Sequence, residues 1–151
     1  ITFCKANLGD IIVMQRLIQE EILNGIILSR SNDEVATNIR SYILAKDKNK
    51  IVGFLALHIH TVLLGEIRSL VILKSYREQG IAKNLILEAS KEAKLLLLKE
   101  ILVLTYRKIL FEKLDFLEIE KSSLPDHKIW ADCIRCQHFP VCDEIALVKY
   151  L

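Results

Sequence analysis

The fold is decided by one stretch of this sequence, Glu66-Ile-Arg-Ser-Leu-Val-Ile-Leu-Lys-Ser-Tyr-Arg-Glu-Gln-Gly-Ile-Ala-Lys-Asn-Leu-Ile86. Its apolar run, Leu70 to Leu73, is typical of a buried strand, and apolar residues at helical spacing begin at Ile81. The turn between them therefore lies at a helix N-terminus, where unpaired backbone N–H groups and a partial positive charge favour a phosphate or pyrophosphate. Gly80 has no Cβ to block a close approach to this backbone, and Ala82 is the next-smallest choice.

Size and composition restrict the classes of protein that this chain can represent. Its 151 residues are 52% hydrophobic and 26% charged, which predicts a single domain over residues 1–151 with a sizeable core. The net charge of +2 and the lack of a basic tract argue against a nucleic-acid partner. No run reaches the roughly 20 apolar residues of a membrane helix, so we expect no membrane partner. Four cysteines without a recognisable secretory signal predict a reducing, cytoplasmic setting.

The remaining elements follow from hydrophobic periodicity and turn residues. The patterns predict strands over residues 1–5, 41–46, 51–60, 65–73, 101–105, 116–119 and 144–150, and helices over residues 11–23, 81–98 and 107–114. Ser31 followed by Glu34 predicts a capping box at the start of one more short helix. Residues 122–143 contain both prolines and are predicted to be irregular. This order predicts an α/β (α+β) protein with a mixed, mostly antiparallel twisted sheet and helices on both faces.

Two motifs resemble those of a known superfamily. Arg77-Glu-Gln-Gly-Ile-Ala82 resembles the acyl-CoA-binding motif of the GNAT superfamily of N-acetyltransferases, Gln/Arg-x-x-Gly-x-Gly/Ala. Leu110-Phe-Glu-Lys-Leu-Asp-Phe116 resembles the later helix–turn–strand signature of that superfamily, in which Gly is usual where this chain has Asp115. Asp tolerates a left-handed turn better than most residues, so we expect the turn geometry to be retained.

Three further segments resemble one branch of that superfamily, the short stand-alone N-acetylglutamate synthases. They are Gly25-Ile-Ile-Leu-Ser-Arg-Ser31, Glu66-Ile-Arg-Ser-Leu-Val71 and His127-Lys-Ile-Trp-Ala-Asp-Cys-Ile-Arg-Cys136. The resemblance implies a GNAT-like acyl-CoA N-acyltransferase fold. It also implies that acetyl-CoA (coenzyme A) is the cosubstrate and that the acetyl group is transferred to the α-amine of L-glutamate, a step of arginine biosynthesis.

The resemblance also implies where the cosubstrate binds. In the family, the pantetheine arm pairs with the strand that here contains Leu70, and the pyrophosphate lies on the backbone amides of the following turn. The cofactor-binding residues expected on this basis are Leu70, Val71, Ile72, Arg77, Glu78, Gln79, Gly80, Ile81, Ala82 and Lys83.

The acceptor and the chemistry require charged side chains. Glutamate has two carboxylates, which arginine forks bind best, so Arg30 and Arg68 in the matching segments are the predicted substrate-binding residues. Glu66 shares a strand face with Arg68 and is the candidate base, acting through water. Tyr106 is the candidate acid or pantetheine contact. Many family members carry a tyrosine acid near the position of Phe111, so its absence here favours a mechanism that depends on positioning and direct attack.

The cysteine-rich tail allows a metal site but does not require one. Cys133, Cys136, Cys142 and His138 have ligand types that zinc accepts, yet only one cysteine pair has the usual spacing. Reduced structural thiols are the simpler interpretation, and we predict no metal. A zinc-dependent interaction module built on these residues stays open as a second interpretation.

The function and the assembly of the chain each allow more than one interpretation. The acceptor could be another small amine or a protein N-terminus, and the chain could be a non-catalytic acyl-CoA-binding module. A homodimer is also open, because the family often pairs. His58 and His60 alternate on one strand face, and ordinary packing is the favoured interpretation of that pair.

Overall fold

The backbone forms one seven-stranded sheet in the computed structural model, which describes residues 1–123 and 144–151. The strands are β1 Thr2–Lys5, β2 Tyr42–Asp47, β3 Lys50–Ile59, β4 Leu64–Ile72, β5 Glu100–Thr105, β6 Leu117–Ile119 and β7 Ile145–Tyr150. The α-helices are α1 Ile11–Leu23, α2 Asn32–Thr37, α3 Ile81–Leu95 and α4 Lys108–Glu112. Short 3-10 turns lie at Leu8–Asp10, Ile39–Ser41, Lys74–Tyr76 and Lys121–Ser123.

The strand order is β1-β2-β3-β4-β5-β7-β6, and one neighbouring pair is parallel. β4 and β5 run in the same direction, because α3 carries the chain back across the sheet between them, as a parallel connection requires. The other neighbours pair antiparallel. The predicted fold class, a mixed and mostly antiparallel sheet with helices, is confirmed.

The sheet is covered on both faces by separate apolar clusters. On one face, α3 buries Ile81, Leu85 and Ala89 against the strands, together with Phe111 from α4. On the other face, helices α1 and α2 pack their apolar residues against the sheet. Ile67 of β4 belongs to the α3 cluster, so its neighbours Glu66 and Arg68 point toward the α1 face, because successive strand side chains alternate.

Several local predictions are confirmed by the backbone geometry. The capping box before α2 is present, with the Glu34 N–H donating to Ser31 Oγ at 3.1 Å and the Ser31 N–H donating to Glu34 Oε1 at 3.2 Å. Gly25 (φ 73°) follows α1 in a left-handed conformation. Asp115 (φ 72°) adopts the left-handed turn for which the family commonly uses Gly.

α3 ends three residues earlier than the predicted end at residue 98. Leu97 adopts a left-handed conformation (φ 68°), and its N–H donates to the Lys94 carbonyl at 3.0 Å. The Leu98 N–H donates to the Ala93 carbonyl at 3.0 Å, which completes a Schellman-type helix end. Leu98 then packs into the core, at 5% exposure. The apolar run that suggested a longer helix therefore returns the chain to the sheet.

One further difference from the predicted elements is small. α4 covers Lys108–Glu112 and is shorter than the predicted segment of residues 107–114. Most of the predicted irregular segment, residues 124–143, lies outside the described residues. In the ranges on either side of it, no helix combines the length and apolar character that a membrane crossing requires.

Candidate active site between β4 and β5

A bulge in β4 opens the middle of the sheet. Phe54 of β3 pairs with Val71, whereas Ala56 pairs with Arg68, so β4 contains one more residue than β3 over this interval. Ser69 within that interval has a left-handed backbone (φ 61°). A bulge of this kind bends a strand and increases its local twist, and it lies where β4 departs from β5.

The pairing of β4 with β5 stops at the bulge. The parallel register runs from Leu64 with Glu100 to Ile67 with Val103. Beyond Ile67, the two strands border a cleft of about 670 Å³, whose walls also include the start of α3 and the turn after β5. The edge of β4 facing this cleft is therefore available to an extended ligand. All the predicted cofactor residues except Gln79 line it, namely Leu70, Val71, Ile72, Arg77, Glu78, Gly80, Ile81, Ala82 and Lys83.

The turn before α3 presents a series of backbone N–H groups. Glu78 (φ 63°) and Gly80 (φ 79°) are both left-handed, an arrangement that gathers successive amides on one side. The first hydrogen bond of the helix is donated by the Asn84 N–H to the Gly80 carbonyl at 3.1 Å. Within the described part of the chain, the backbone N–H groups of residues 78–83 have no hydrogen-bond partner. A Cβ at Gly80 would meet nothing within 4 Å, so the space beside the turn is open to a ligand.

Two basic side chains border this turn in different ways. Arg77 donates from Nη2 to Glu21 Oε1 at 3.3 Å and from Nε to the Ile72 carbonyl at 3.2 Å. It therefore connects the turn to α1 and to the end of β4. Lys83 is exposed on the first turn of α3 and lines the cleft, where its charge favours an anion.

The two predicted substrate arginines lie on the same side of the sheet. Arg68 lines the large cleft, and Arg30 lines a neighbouring cavity of about 10 Å³ together with Tyr42. Ser69 borders both spaces. Burial raises the pKa of Tyr42, and the positive charges of Arg30 and Arg68 act on the same hydroxyl and oppose that rise. The two arginines therefore line two spaces that share Ser69 of the bulge.

Glu66 and Arg68 each bond to a histidine of the neighbouring strand and its turn. Glu66 Oε1 lies 2.8 Å from His60 Nε2, and Arg68 Nη2 lies 3.0 Å from His58 Nδ1. Ordinary packing was expected for both histidines, and these contacts were missed. The signal that could have revealed them is the alternation of both pairs, His58 with His60 and Glu66 with Arg68, on two strands joined by one short turn.

The aromatic residues on the β5 side differ in accessibility. Tyr106 follows β5, is 43% exposed and lines the cleft. Phe111 is buried against Phe116, with ring centroids 5.2 Å apart in an edge-to-face arrangement. Phe111 therefore contributes to the core beside the cleft, whereas Tyr106 presents an exposed hydroxyl on a wall that Ser69, Tyr76 and Thr105 also line.

The residues considered as zinc ligands lie outside the described residues. They are Cys133, Cys136, Cys142 and His138. Among the residues of the two described ranges, no group of three or more His, Cys, Asp or Glu side chains is arranged to hold a metal ion.

Comparison with known proteins identifies the family of this chain. The model of a family described as an acetyltransferase (GNAT) domain matches residues 38–118. An uncharacterised N-acetyltransferase from Chlorobaculum tepidum is 36% identical over 146 residues, which cover 97% of this chain and 94% of the relative.

Solved structures show the same architecture at lower identity. N-acetylglutamate synthase from Neisseria gonorrhoeae, complexed with coenzyme A and N-acetyl-glutamate, has a TM-score of 0.88 and 20% identity over 99% of this chain. The chain spans only 35% of that synthase. A Mycobacterium tuberculosis protein, solved with coenzyme A and a second ligand, has a TM-score of 0.85 and 19% identity, with 100% of this chain and 99% of that protein covered.

The fold and the cleft thus define an acyl-CoA-type acetyltransferase architecture. The chain belongs to the acetyltransferase (GNAT) family. The predicted enzyme class is confirmed, and the coenzyme A in the neighbouring structures agrees with acetyl-CoA as the predicted cosubstrate.

Proposed function

We propose that residues 1–151 form one cytoplasmic N-acetyltransferase domain that transfers the acetyl group of acetyl-CoA to the α-amine of L-glutamate. The product, N-acetyl-L-glutamate, is an intermediate of arginine biosynthesis. The observation that carries the proposal is the position of Arg30 and Arg68. Arg68 lines the cleft, Arg30 lines the small cavity beside it, and Ser69 of the bulge borders both spaces.

The donor half of the site uses backbone groups. The pyrophosphate of acetyl-CoA would lie on the N–H groups of residues 78–83, beside the open space at Gly80. The pantetheine amides would pair with the edge of β4 from Leu70 to Ile72, in the manner of an added strand. Backbone N–H groups of the same strand would polarise the thioester carbonyl as negative charge develops on its oxygen.

The acceptor half uses side chains. A substrate with two carboxylates requires two fixed cations, and guanidinium groups bind carboxylates through paired hydrogen bonds. Arg68 lies on the cleft wall, one residue from the left-handed Ser69, and Arg30 lies across the small cavity that Ser69 also borders. This arrangement favours an acidic amino acid over a monocarboxylic or cationic amine.

The chemistry requires two proton movements. The ammonium of glutamate loses one proton to Glu66, through water, and the neutral nitrogen then attacks the thioester carbon. As the N–C bond forms and the C–S bond breaks, the nitrogen loses its second proton to the leaving thiolate, with Tyr106 as the hydroxyl positioned to relay it. The proton on Glu66 returns to solvent, so the net products are N-acetylglutamate, the thiol of coenzyme A and one proton.

The Neisseria gonorrhoeae synthase supports the fold on which this proposal is built. That protein was solved with coenzyme A and N-acetyl-glutamate. Because the chain covers 35% of the synthase, the similarity supports the fold of the transferase portion, and the acceptor assignment depends on the arginines.

The proposal is tested by thiol release from acetyl-CoA with a panel of amines. The panel compares L-glutamate with L-glutamine, L-aspartate and L-lysine, and mass spectrometry identifies each product. We expect L-glutamate to give the highest kcat/KM, with L-glutamine lower because it lacks the second carboxylate. Higher kcat/KM with a neutral or cationic amine would overturn the acceptor assignment and favour another small amine.

A further inference from the structure

Two histidine contacts support the residues that the proposed function assigns to the acceptor side. His60 Nε2 lies 2.8 Å from Glu66 Oε1, and both of these side chains are 2% exposed. His58 Nδ1 lies 3.0 Å from Arg68 Nη2. The two imidazole rings meet edge to face, with centroids 4.8 Å apart. The four side chains therefore form a continuous line on one face of the β3–β4 hairpin.

The line arises because the side chains pair diagonally. In the strand register, His58 lies directly opposite Glu66. The side-chain bonds instead join His58 to Arg68 and His60 to Glu66. Both bonds therefore cross diagonally between the two strands, and the two diagonals are parallel. Diagonal contacts between twisted antiparallel strands are within reach of long side chains. As a result, both imidazole rings lie between the carboxylate and the guanidinium.

The chemistry of the partners fixes the proton on each ring. A guanidinium only donates, so His58 Nδ1 must accept from Arg68, which leaves His58 neutral with its proton on Nε2. An ionised carboxylate only accepts, so His60 Nε2 must donate to Glu66 Oε1. A carboxylate at this depth is stable in its ionised form only when hydrogen bonds replace water. His60 supplies one such bond from a side chain that is itself buried.

We propose that His60 is a positioning residue for acetyl transfer. It holds Glu66 ionised and fixes the orientation of the carboxylate that receives the amine proton. His58 fixes the orientation of the Arg68 guanidinium by accepting its hydrogen bond. This inference rests on the proposed function, in which Glu66 takes one proton from the acceptor amine before the N–C bond forms. His60 itself neither gains nor loses a proton in that step.

Two substitutions at His60 test the inference. His60→Leu replaces the imidazole donor with an apolar side chain of similar size, whereas His60→Gln keeps an N–H donor on a side chain of similar reach. Val62→Ala, in the exposed turn that follows (Val62 is 86% exposed), is the matched control. Steady-state kinetics with each substrate, calorimetry with acetyl-CoA and thermal unfolding are measured for all of them.

We expect His60→Leu to lower kcat about 10–100-fold, the usual effect of misplacing a proton-transfer group, with acetyl-CoA affinity unchanged. His60→Gln should recover most of that loss, and Val62→Ala should match the wild type. The inference is overturned if His60→Leu leaves kcat unchanged, or if both His60 variants lose kcat and acetyl-CoA affinity together.

A spectroscopic measurement tests the pairing without turnover. Long-range proton–nitrogen NMR of the imidazole groups should show His60 protonated at Nε2 and shifted by Glu66→Gln. A His60 proton found only on Nδ1 would overturn the pairing.

The amine panel separates the two proposals. A higher kcat/KM with a neutral or cationic amine than with glutamate overturns the acceptor assignment, and the same His60 variants then decide this inference on that amine. No turnover with any amine overturns both.

Discussion

At the scale of single residues, the site divides into positions that act through the backbone and positions that act through side chains. Gly80 belongs to the first kind, because its left-handed backbone and the open space beside its Cα serve the amides of the turn. In the proposed function, Arg30 and Arg68 belong to the second kind, because a guanidinium fork binds a carboxylate through two hydrogen bonds.

Substitution of Gly80 should remove donor binding without disrupting the core. Gly80→Val places a branched side chain in the open space beside the turn and adds about 1–2 kcal/mol of left-handed strain. We expect the affinity for acetyl-CoA to fall at least about tenfold, equivalent to about 1.4 kcal/mol, with unfolding still cooperative. Calorimetry measures the affinity, and circular dichroism monitors the fold. Unchanged affinity would contradict the assignment of the turn to the pyrophosphate.

Substitution of Arg68 should affect the acceptor and spare the donor. Arg68→Ala removes a hydrogen-bonding cation from the cleft wall, and such a bond contributes about 1.5–3 kcal/mol. We expect the KM for L-glutamate to rise about 10–100-fold, and the KM for acetyl-CoA to stay near the wild-type value. Arg16→Ala, an exposed arginine of α1, is the matched control. An equal loss for both substrates would show that Arg68 is structural.

At the scale of elements, both ends of α3 use left-handed residues for different purposes. At the N-terminus, Gly80 opens the turn to a ligand, and at the C-terminus Leu97 turns the chain so that Leu98 returns to the core. Leu97 has the conformation that glycine commonly provides, yet its side chain is 75% exposed. That end of the helix therefore contains strain with little packing to offset it.

Relieving this strain should stabilise the protein. Leu97→Gly should raise the free energy of unfolding by about 1 kcal/mol and the melting temperature by about 2–4 °C. Leu96→Gly is the matched control, because Leu96 is also exposed but has a right-handed backbone (φ −79°). It should lower stability by about 0.5–1 kcal/mol. Thermal unfolding followed by circular dichroism distinguishes the two, and a loss of stability in both would contradict the role assigned to Leu97.

The elements also show how far the sequence alone could lead. Periodicity located α1 at its observed bounds, and the Ser31 capping box and the left-handed Asp115 were predictable because each has a local chemical signature. The bulge at Ser69 was not, because no glycine or proline marks it and it depends on pairing with β3. The end of α3 was missed for a similar reason, since Leu95 to Leu98 continue an apolar pattern whose direction only the tertiary packing determines.

Local and distant features of the candidate site also differed in how well the sequence predicted them. The turn before α3 was predicted because six consecutive residues carry its pattern. Contacts that join distant residues were harder to predict, and the bonds of His58 and His60 depend on a diagonal choice that strand alternation leaves open. Where a site is built across two strands, the sequence identifies its members more readily than their partners.

At the scale of the whole molecule, the sheet is continuous at one end of the β4–β5 pair and divided at the opposite end. The strands are joined from Leu64 to Ile67 of β4 and separated by the cleft beyond that point. α3 packs against one face and α1 against the opposite face. A ligand that occupies the cleft therefore contacts the middle of the fold.

Donor binding should consequently stabilise the entire molecule. Acetyl-CoA at 100 times its dissociation constant should add about 2.7 kcal/mol to the free energy of unfolding, and raise the melting temperature by several degrees, roughly 5–10 °C. Adenosine diphosphate at the same concentration should give a smaller shift, because it has no pantetheine arm to pair with β4. Gly80→Val serves as the control and should reduce both shifts. Equal shifts from the two ligands would contradict pairing along β4.

The bulge at Ser69 also bears on how such a protein can diverge. A donor held by the amides of β4 and of residues 78–83 is recognised by peptide groups that every residue except proline supplies. Substitutions along these segments can therefore accumulate while the conformation is kept, as in structures that share this fold at about 20% identity. In the proposed function, the acceptor is held by individual side chains such as Arg68, so one exchange there would change the substrate. One half of the site thus tolerates drift in sequence, while the second half is open to the evolution of new acceptors.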